Sequence, residues 1–354
     1  MLLEKNKPKT IQKNYEMKEI KWQELGFSYV KTDYNVRCVW KDGAWGEIEV
    51  SDSEYLPIHM AATCLHYGQE VFEGLKAFRG VDGKVRIFRL EENAKRMQRS
   101  GEYLRMQVPS IELFEEMCVK AIQANAEYIP PYGTGASLYL RPLLIGTGAQ
   151  VGVKESTEYT FIVFVTPVGP YFKEGFKPIT VTLERTYDRA APRGTGHTKV
   201  GGNYAASIGS GSRAHAAGFS NCLYLDPSEK KYIDEFGAAN FFGIKDGSYI
   251  TPDSTSVLPS ITNMSLRTLA EDLGLKVENR KVPVEELPTF EEVGACGTAA
   301  VISPIGRIFD PKTEEYVEYG TEAGPWCVKL YTLLQDIQYG RTEDTHGWVT
   351  YVEA

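Results

Sequence analysis

Histidine is scarce, with five scattered residues in 354, and the six cysteines (Cys38, Cys64, Cys118, Cys222, Cys296 and Cys327) include no CxxC pair. That pattern excludes a zinc cluster and any other metal site of Cys/His type. The cysteines read as free thiols of a reducing compartment. Long hydrophobic runs are missing too. The longest apolar stretch, around residues 161–165, is strand-sized and far short of the roughly 20 residues a membrane span needs. Nor is there an excess of positive charge: 39 Lys and Arg stand against 47 Asp and Glu, for a net charge of -8. Wholesale binding to nucleic acid or an anionic membrane is therefore disfavoured. The N-terminal MLLEKNKPKTIQKN has no apolar core of a signal peptide and is rich in neither Arg nor Ser, so a cytoplasmic location is expected. No internal repeat or low-complexity segment is visible.

What is present is an ordinary globular composition, 42% hydrophobic and 24% charged, at a length that suggests two domains. Residues 34–50 alternate around Asp42 and Gly43, a hairpin signal, and a second hairpin turns at Asp82 and Gly83. Helices are predicted over 90–104, 111–125, 204–218, 261–273 and 325–337, and strands over 137–141, 159–165, 179–184, 221–225, 241–244 and 277–282. Strands, then helices, then strands give an α+β layout rather than a strict βαβ repeat. Three prolines and two glycines in 166–178 mark a linker. The division expected is 1–167 (with 1–30 an extended arm), a linker at 168–178, and 179–354.

The chemistry centres on Lys199, within GTGHTKVGGNY at 194–204, where four glycines and no carboxylate surround it. Glycines let other groups approach the backbone closely. A lysine with poor solvation and no acidic partner gives up its proton more readily, as an amine that attacks a carbonyl must. Glu235 is the second candidate, flanked by apolar and small residues in YIDEFGAANF; beside a pyridine ring it would hold the ring nitrogen protonated. For an anion, Ser260, Ile261 and Thr262 open a helix, Gly297 and Thr298 offer a hydroxyl and a close backbone, and Arg96 offers a fork. The glycines at 146, 148 and 152 have the wrong spacing for a dinucleotide fingerprint. Arg189 and Arg193 bracket Ala190, Ala191 and Pro192 and read as an anion-attracting lip. Arg141 sits in a strand-like apolar run and needs a partner if buried. Taken singly, a solvated turn lysine, a loop glutamate, an exposed helix arginine and ordinary core aromatics remain open.

Together, however, these segments closely resemble the branched-chain amino acid aminotransferases of the class IV (fold type IV) pyridoxal phosphate family. The resemblance rests on HYG at 66–68 with VFEG at 71–74, Phe88 and Arg89 with Arg96, LYLRP at 138–142, KVGGNY at 199–204, Glu235 with Asn240 and Phe241, LPSIT at 258–262, and GTAA at 297–300. These run in family order from about Tyr34 to Trp348. The resemblance implies a two-domain fold, with a small N-terminal α/β domain and a larger, β-barrel-like C-terminal one. It implies pyridoxal 5'-phosphate bound by Lys199 as a Schiff base, Glu235 at the pyridine nitrogen and Tyr204 at the phenolic oxygen. Arg96, Ile261, Thr262 and Thr298 would hold the phosphate, with Leu258 near the ring.

Tyr67, Phe72, Tyr139 and Tyr171 would wall the side-chain pocket. Thr298 and Ala299 would take the α-carboxylate, and Arg141 the second carboxylate of glutamate. The implied reaction is ping-pong transamination of L-leucine, L-isoleucine and L-valine with 2-oxoglutarate, by a homodimer and without a metal. A D-amino acid aminotransferase, an aminodeoxychorismate lyase and a non-catalytic binding protein of the same fold are the alternatives. One departure is clear. Where mammalian members carry a redox CxxC after the Gly-Thr-Ala segment, this chain has Ala300 and Ser303, so no such thiol switch is expected.

Overall fold

The computed structural model describes residues 20–170 and 175–354. Within them the strands gather into two nine-stranded sheets. The first runs in the order Val349–Val352, Val85–Phe88, Leu75–Arg79, Ser137–Gly146, Tyr159–Val168, Asn35–Lys41, Ala44–Trp45, with Glu49–Ser51 and Glu70–Phe72 attached at its side. The pair Ser137–Gly146 and Tyr159–Val168 forms its spine, antiparallel over ten residues each. Tyr159–Val168 is rich in β-branched and aromatic residues, which suit a pleated, buried surface, and Ser137–Gly146 adds four leucines. Helices α1 (Thr63–Tyr67), α2 (Leu90–Tyr103) and α3 (Ile111–Ala124) belong to the same part of the chain. Met97, Phe114, Met117 and Ala121 of α2 and α3 pack on Leu138, Leu140, Phe161 and Val163. The Ser110 hydroxyl caps α3 by accepting from Leu113 N–H at 3.1 Å.

Six strands of the second sheet close on themselves: Ile233–Phe236, Asn221–Leu225, Ile179–Glu184, Val301–Asp310, Glu292–Gly297 and Asn240–Lys245, the last pairing back to the first. That closing pair is Glu235 with Asn240. Period-2 alternation sends Val181, Leu183, Leu223, Leu225, Val293 and Ala295 to one face of this barrel-like sheet. Phe242, Ile244, Cys296 and Ile302 go to the other face, under α5 (Ile261–Asp272) and α6 (Pro325–Tyr339). Ser248–Pro252 and Lys276–Arg280 extend the sheet, and Glu315–Glu318 flanks Val301–Asp310.

Several particulars differ from the sequence expectations, among them that the strand expected at 137–141 runs on to Gly146 and that strands form at Ile233–Phe236 and Ser248–Pro252. The helix α4 (Gly201–Ala216) starts before residue 204, because the N–H of Gly201 is satisfied by the Glu70 carboxylate of another strand. The strand expected at 159–165 runs on to Val168, where Ser137 still pairs with it. A strand at Val349–Val352, not read from sequence, pairs with Val85–Phe88 of the first sheet. No helix among the described residues is long and apolar enough to cross a membrane.

Candidate active site

A cavity of about 190 Å³ lies where the two sheets meet, and it is lined by residues of both, among them Phe72, Arg96, Tyr139 and Arg141 from one side and Lys199, Glu235, Leu258 and Thr298 from the other. Among the described residues, four cationic side chains (Arg96, Arg141, Arg189 and Lys199) line it against a single carboxylate, Glu235. Such an excess favours an anionic ligand.

Lys199 stands just before α4. Its Nζ donates to the Tyr204 hydroxyl at 2.9 Å and lies 4.9 Å from the centre of the Phe72 ring. Among the described residues no carboxylate lies within ion-pair distance of it. Its backbone is fixed from the first sheet's side: Lys199 N–H donates to Ser100 Oγ at 3.0 Å, and Phe72 N–H donates to the Lys199 carbonyl at 3.1 Å. Glycine is required nearby, since a Cβ on Gly196 would collide with the Ser256 backbone.

Glu235 is buried and fully engaged. Leu258 N–H donates to Oε1 at 3.0 Å, Asn240 Nδ2 donates to Oε2 at 2.8 Å, and Arg189 Nη2 lies 2.7 Å from Oε1. Burial pushes its carboxyl up, and Arg189, the Leu258 N–H and Asn240 pull it back toward the ionised form. Its neighbour Asp234 alternates to the other side of the strand, where Oδ1 is buried without a hydrogen-bond partner. Burial raises the Asp234 carboxyl to about 6, and the charge of Glu235 adds to the rise.

Another part of the wall suits a phosphate-like group. Ser260 lines the cavity and caps α5, accepting from Asn263 N–H at 3.2 Å. The N–H groups of Ile261 and Thr262 precede the first intrahelical bond and carry the positive end of the helix dipole. Arg96 comes from α2, its guanidinium gripped by both oxygens of Glu73 at 2.8 and 2.7 Å while Nη1 donates to the Pro259 carbonyl at 3.1 Å. Glu73 is completely buried, so this pair is held rigidly.

The turn after Glu292–Gly297 is strained. Val301, β-branched, has φ of 66°, a region such residues rarely occupy. Two bonds from the first sheet hold this turn: Thr298 Oγ1 donates to the Gly74 carbonyl at 3.2 Å, and Lys76 Nζ donates to the Ala299 carbonyl at 2.7 Å. Burial pushes the Lys76 ammonium down to about 8. Arg141 projects from Ser137–Gly146 over the Phe72 and Tyr139 rings, with its Nη2 donating to the Tyr139 hydroxyl at 3.0 Å. Its Nε is buried and unpaired.

Of the residues expected from sequence, Phe72, Arg96, Tyr139, Arg141, Lys199, Tyr204, Glu235, Leu258, Thr298 and Ala299 line this one cavity. Ile261 and Thr262 are buried just behind Ser260. Tyr67 is not brought here: it is 39% exposed at the end of α1, and its hydroxyl bonds to the Val151 carbonyl. Tyr171 lies outside the described residues.

Arg189 is not part of an exposed lip. It is buried, because Glu235 and the carbonyls of Gly196 and Ser256 supply the acceptors that a buried guanidinium needs. Sequence reasoning missed Phe27, whose ring meets Tyr139 edge-on at 5.0 Å, and no local signal marks it. Cys296 was also missed, although it directly precedes the Gly-Thr-Ala segment.

Residues 70–308 match the model of the amino-transferase class IV family. The branched-chain-amino-acid aminotransferase of Haemophilus influenzae is 48% identical over 344 residues, covering 95% of this chain and all of that protein. The enzyme of the same name from Helicobacter pylori is 48% identical over 337 residues, covering 94% of this chain and 98% of its own. Among solved structures, the Escherichia coli branched-chain amino acid aminotransferase superposes with a TM-score of 0.75 at 30% identity, over 91% of this chain and all of that one. The branched-chain amino acid aminotransferase from Thermobaculum terrenum, in its PLP-form, superposes at 0.74 and 26% identity, over 91% of this chain and 99% of that one. The fold is that of a class IV aminotransferase. Within that class the chain belongs to the branched-chain-amino-acid aminotransferase family, and it is an enzyme.

Proposed function

We propose that this enzyme transfers the amino group of L-leucine, L-isoleucine or L-valine to 2-oxoglutarate, with pyridoxal 5'-phosphate held by Lys199. The observation that carries the reading is a lysine with no acidic partner among the described residues, in the same cavity as a carboxylate paired with Arg189. The residues fit the cofactor. Gly237, Ala238, Ala239 and Gly297 leave room for a flat ring, Glu235 suits a ring nitrogen, and Arg96 with the start of α5 suits a phosphate. When bound, the cofactor supplies an electron sink for the carbanion formed at the substrate's α-carbon.

The chain's own residues do the rest. Lys199 Nζ takes the α-proton as general base and returns it as general acid, and the Tyr204 hydroxyl fixes where the amine stands. Glu235 keeps a proton on the ring nitrogen because its own charge is supported by three donors. Thr298 and Ala299 offer backbone N–H groups to the α-carboxylate, on a turn braced by Lys76. Phe27, Phe72 and Tyr139 give apolar walls for a branched side chain. Arg141, which makes no close ion pair among the described residues, receives the distal carboxylate of 2-oxoglutarate or glutamate. One pocket thus serves two unlike substrates in turn, as ping-pong exchange demands.

We also propose that the enzyme works as a homodimer, with Tyr171 as a further pocket residue and with Tyr67 reaching a pocket only across the subunit interface. The test is the half-reaction. Adding L-leucine alone to purified holoenzyme should shift the cofactor's visible absorption to that of the amine form, and 2-oxoglutarate should restore it. A response to D-alanine in place of L-leucine would overturn the substrate assignment.

A further inference from the structure

Helix α4 begins two residues after Lys199 and carries Tyr204 in its first turns, so its N-terminus sets where both side chains stand. Its own sequence supports that terminus poorly. The cap residue Val200 makes no side-chain bond, the first turn holds no acidic residue, and Gly201 and Gly202 are weak helix formers. Support arrives from the other sheet. The Glu70 carboxylate accepts from Gly201 N–H through Oε1, and a Cβ on Gly201 would collide with it. Two residues along the same strand and on the same face, Phe72 N–H donates to the Lys199 carbonyl at 3.1 Å. The Phe72 ring also lies 5.0 Å from that of Tyr204. The three-residue strand Glu70–Phe72 therefore grips the chain at the lysine's own carbonyl and again at Gly201, just after the lysine's α-carbon.

We propose that Glu70 is a positioning residue for Lys199, its carboxylate capping α4 from the opposite sheet and fixing the lysine and Tyr204 in the cavity. The catalytic consequence rests on the function proposed above; the structural one does not. Burial works against the Glu70 carboxyl, raising it, while the Gly201 N–H and the nearby Arg141 guanidinium lower it. A half-buried acid whose folded-state value is raised costs some stability at neutral pH.

The test uses the full-length protein with Glu70→Ala, Glu70→Gln and Gly201→Ala. Amide exchange is followed with the cofactor stripped, and single-turnover reaction with L-leucine with it restored. Losing a charge-assisted bond should speed exchange over 199–204 about tenfold in Glu70→Ala, with the α5 and α6 amides unchanged. The single-turnover rate should fall by a similar factor, with little change in its dependence on leucine concentration. Glu70→Gln, which keeps an acceptor oxygen, should recover most of both effects. Gly201→Ala should also speed exchange, although alanine ordinarily steadies a helix, and it carries the test if Glu70→Ala folds poorly. Unchanged exchange at 199–204 in Glu70→Ala and Gly201→Ala overturns the proposal, and so does a Glu70→Gln variant as impaired as Glu70→Ala. A wild-type protein that ignores L-leucine would sink the assigned reaction and leave the exchange result standing.

Discussion

Arg189 meets Glu235 inside the protein, Nη2 to Oε1 at 2.7 Å, with the two side chains 8% and 4% exposed. Removing one partner of a buried ion pair leaves the other charge uncompensated, at about 3–5 kcal/mol. Arg189→Leu should therefore lose about 3 kcal/mol of stability in urea unfolding and push the Glu235 carboxyl further up. The Arg189→Leu/Glu235→Gln double variant should lose less than the sum of the singles. Additive losses in that cycle would show that the two side chains do not act as a pair.

Lys199→Ala should fold as the wild type does, since its Nζ makes one hydrogen bond, to Tyr204. Its transamination rate should drop by about 10²–10⁴-fold or more, the range expected for loss of a positioned acid–base group. Stopped-flow measurement with L-leucine decides this. A drop of less than tenfold would remove Lys199 from the chemistry.

Arg141 separates the two half-reactions. Arg141→Met should weaken the 2-oxoglutarate half-reaction by roughly 10–100-fold, as expected for loss of a charge-assisted carboxylate contact, and alter the leucine half-reaction much less. Equal losses in both would mean that Arg141 shapes the pocket through its stacking on Phe72 and Tyr139 instead.

Asp234 gives the stability a pH dependence of defined sign. Its carboxyl rises from 3.8 to about 6 on folding, so between those values the native chain holds a proton that the unfolded chain has released. Stability from this group is present below pH 3.8 and lost as pH rises through about 6. Asp234→Asn should thus gain roughly 1–3 kcal/mol at pH 7 and nothing at pH 3.5, taking about 1.4 kcal/mol per pH unit. Urea titrations at the two pH values test it; a loss at pH 7 would show that the carboxylate is satisfied by a group such as bound water.

Mild oxidation should leave the rate unchanged. Five of the six thiols are buried, and burial pushes Cys296, beside the cavity, well above the usual thiol range. Peroxide treatment followed by assay checks this, and a reversible, thiol-restored loss of activity would contradict it.

The parts of this architecture legible in the sequence are those with local causes. The periodicity of 90–104 and 111–125, the glycines around Lys199 and the apolar flanks of Glu235 all act within a few residues. The rest depends on partners distant in the chain. Nothing near Arg189 announces Glu235, and an arginine between alanines and a proline reads equally well as an exposed lip. Phe27 enters the cavity only because Tyr139 folds against it. Tyr67 belongs to a matching motif, yet the short α1 leaves it at the surface, because a motif fixes order along the chain and not direction in space.

The strand Val349–Val352 carries a consequence in time. It covers Val85–Phe88, a fully buried strand from early in the chain. On the ribosome, the first sheet must wait with that flank bare until the chain has been made as far as Val352. Any product ending before Val349 keeps an open, largely apolar edge, a template for pairing with other chains. Closure of the first sheet is thereby tied to the arrival of a strand more than 250 residues away, and chains released before it are left sticky.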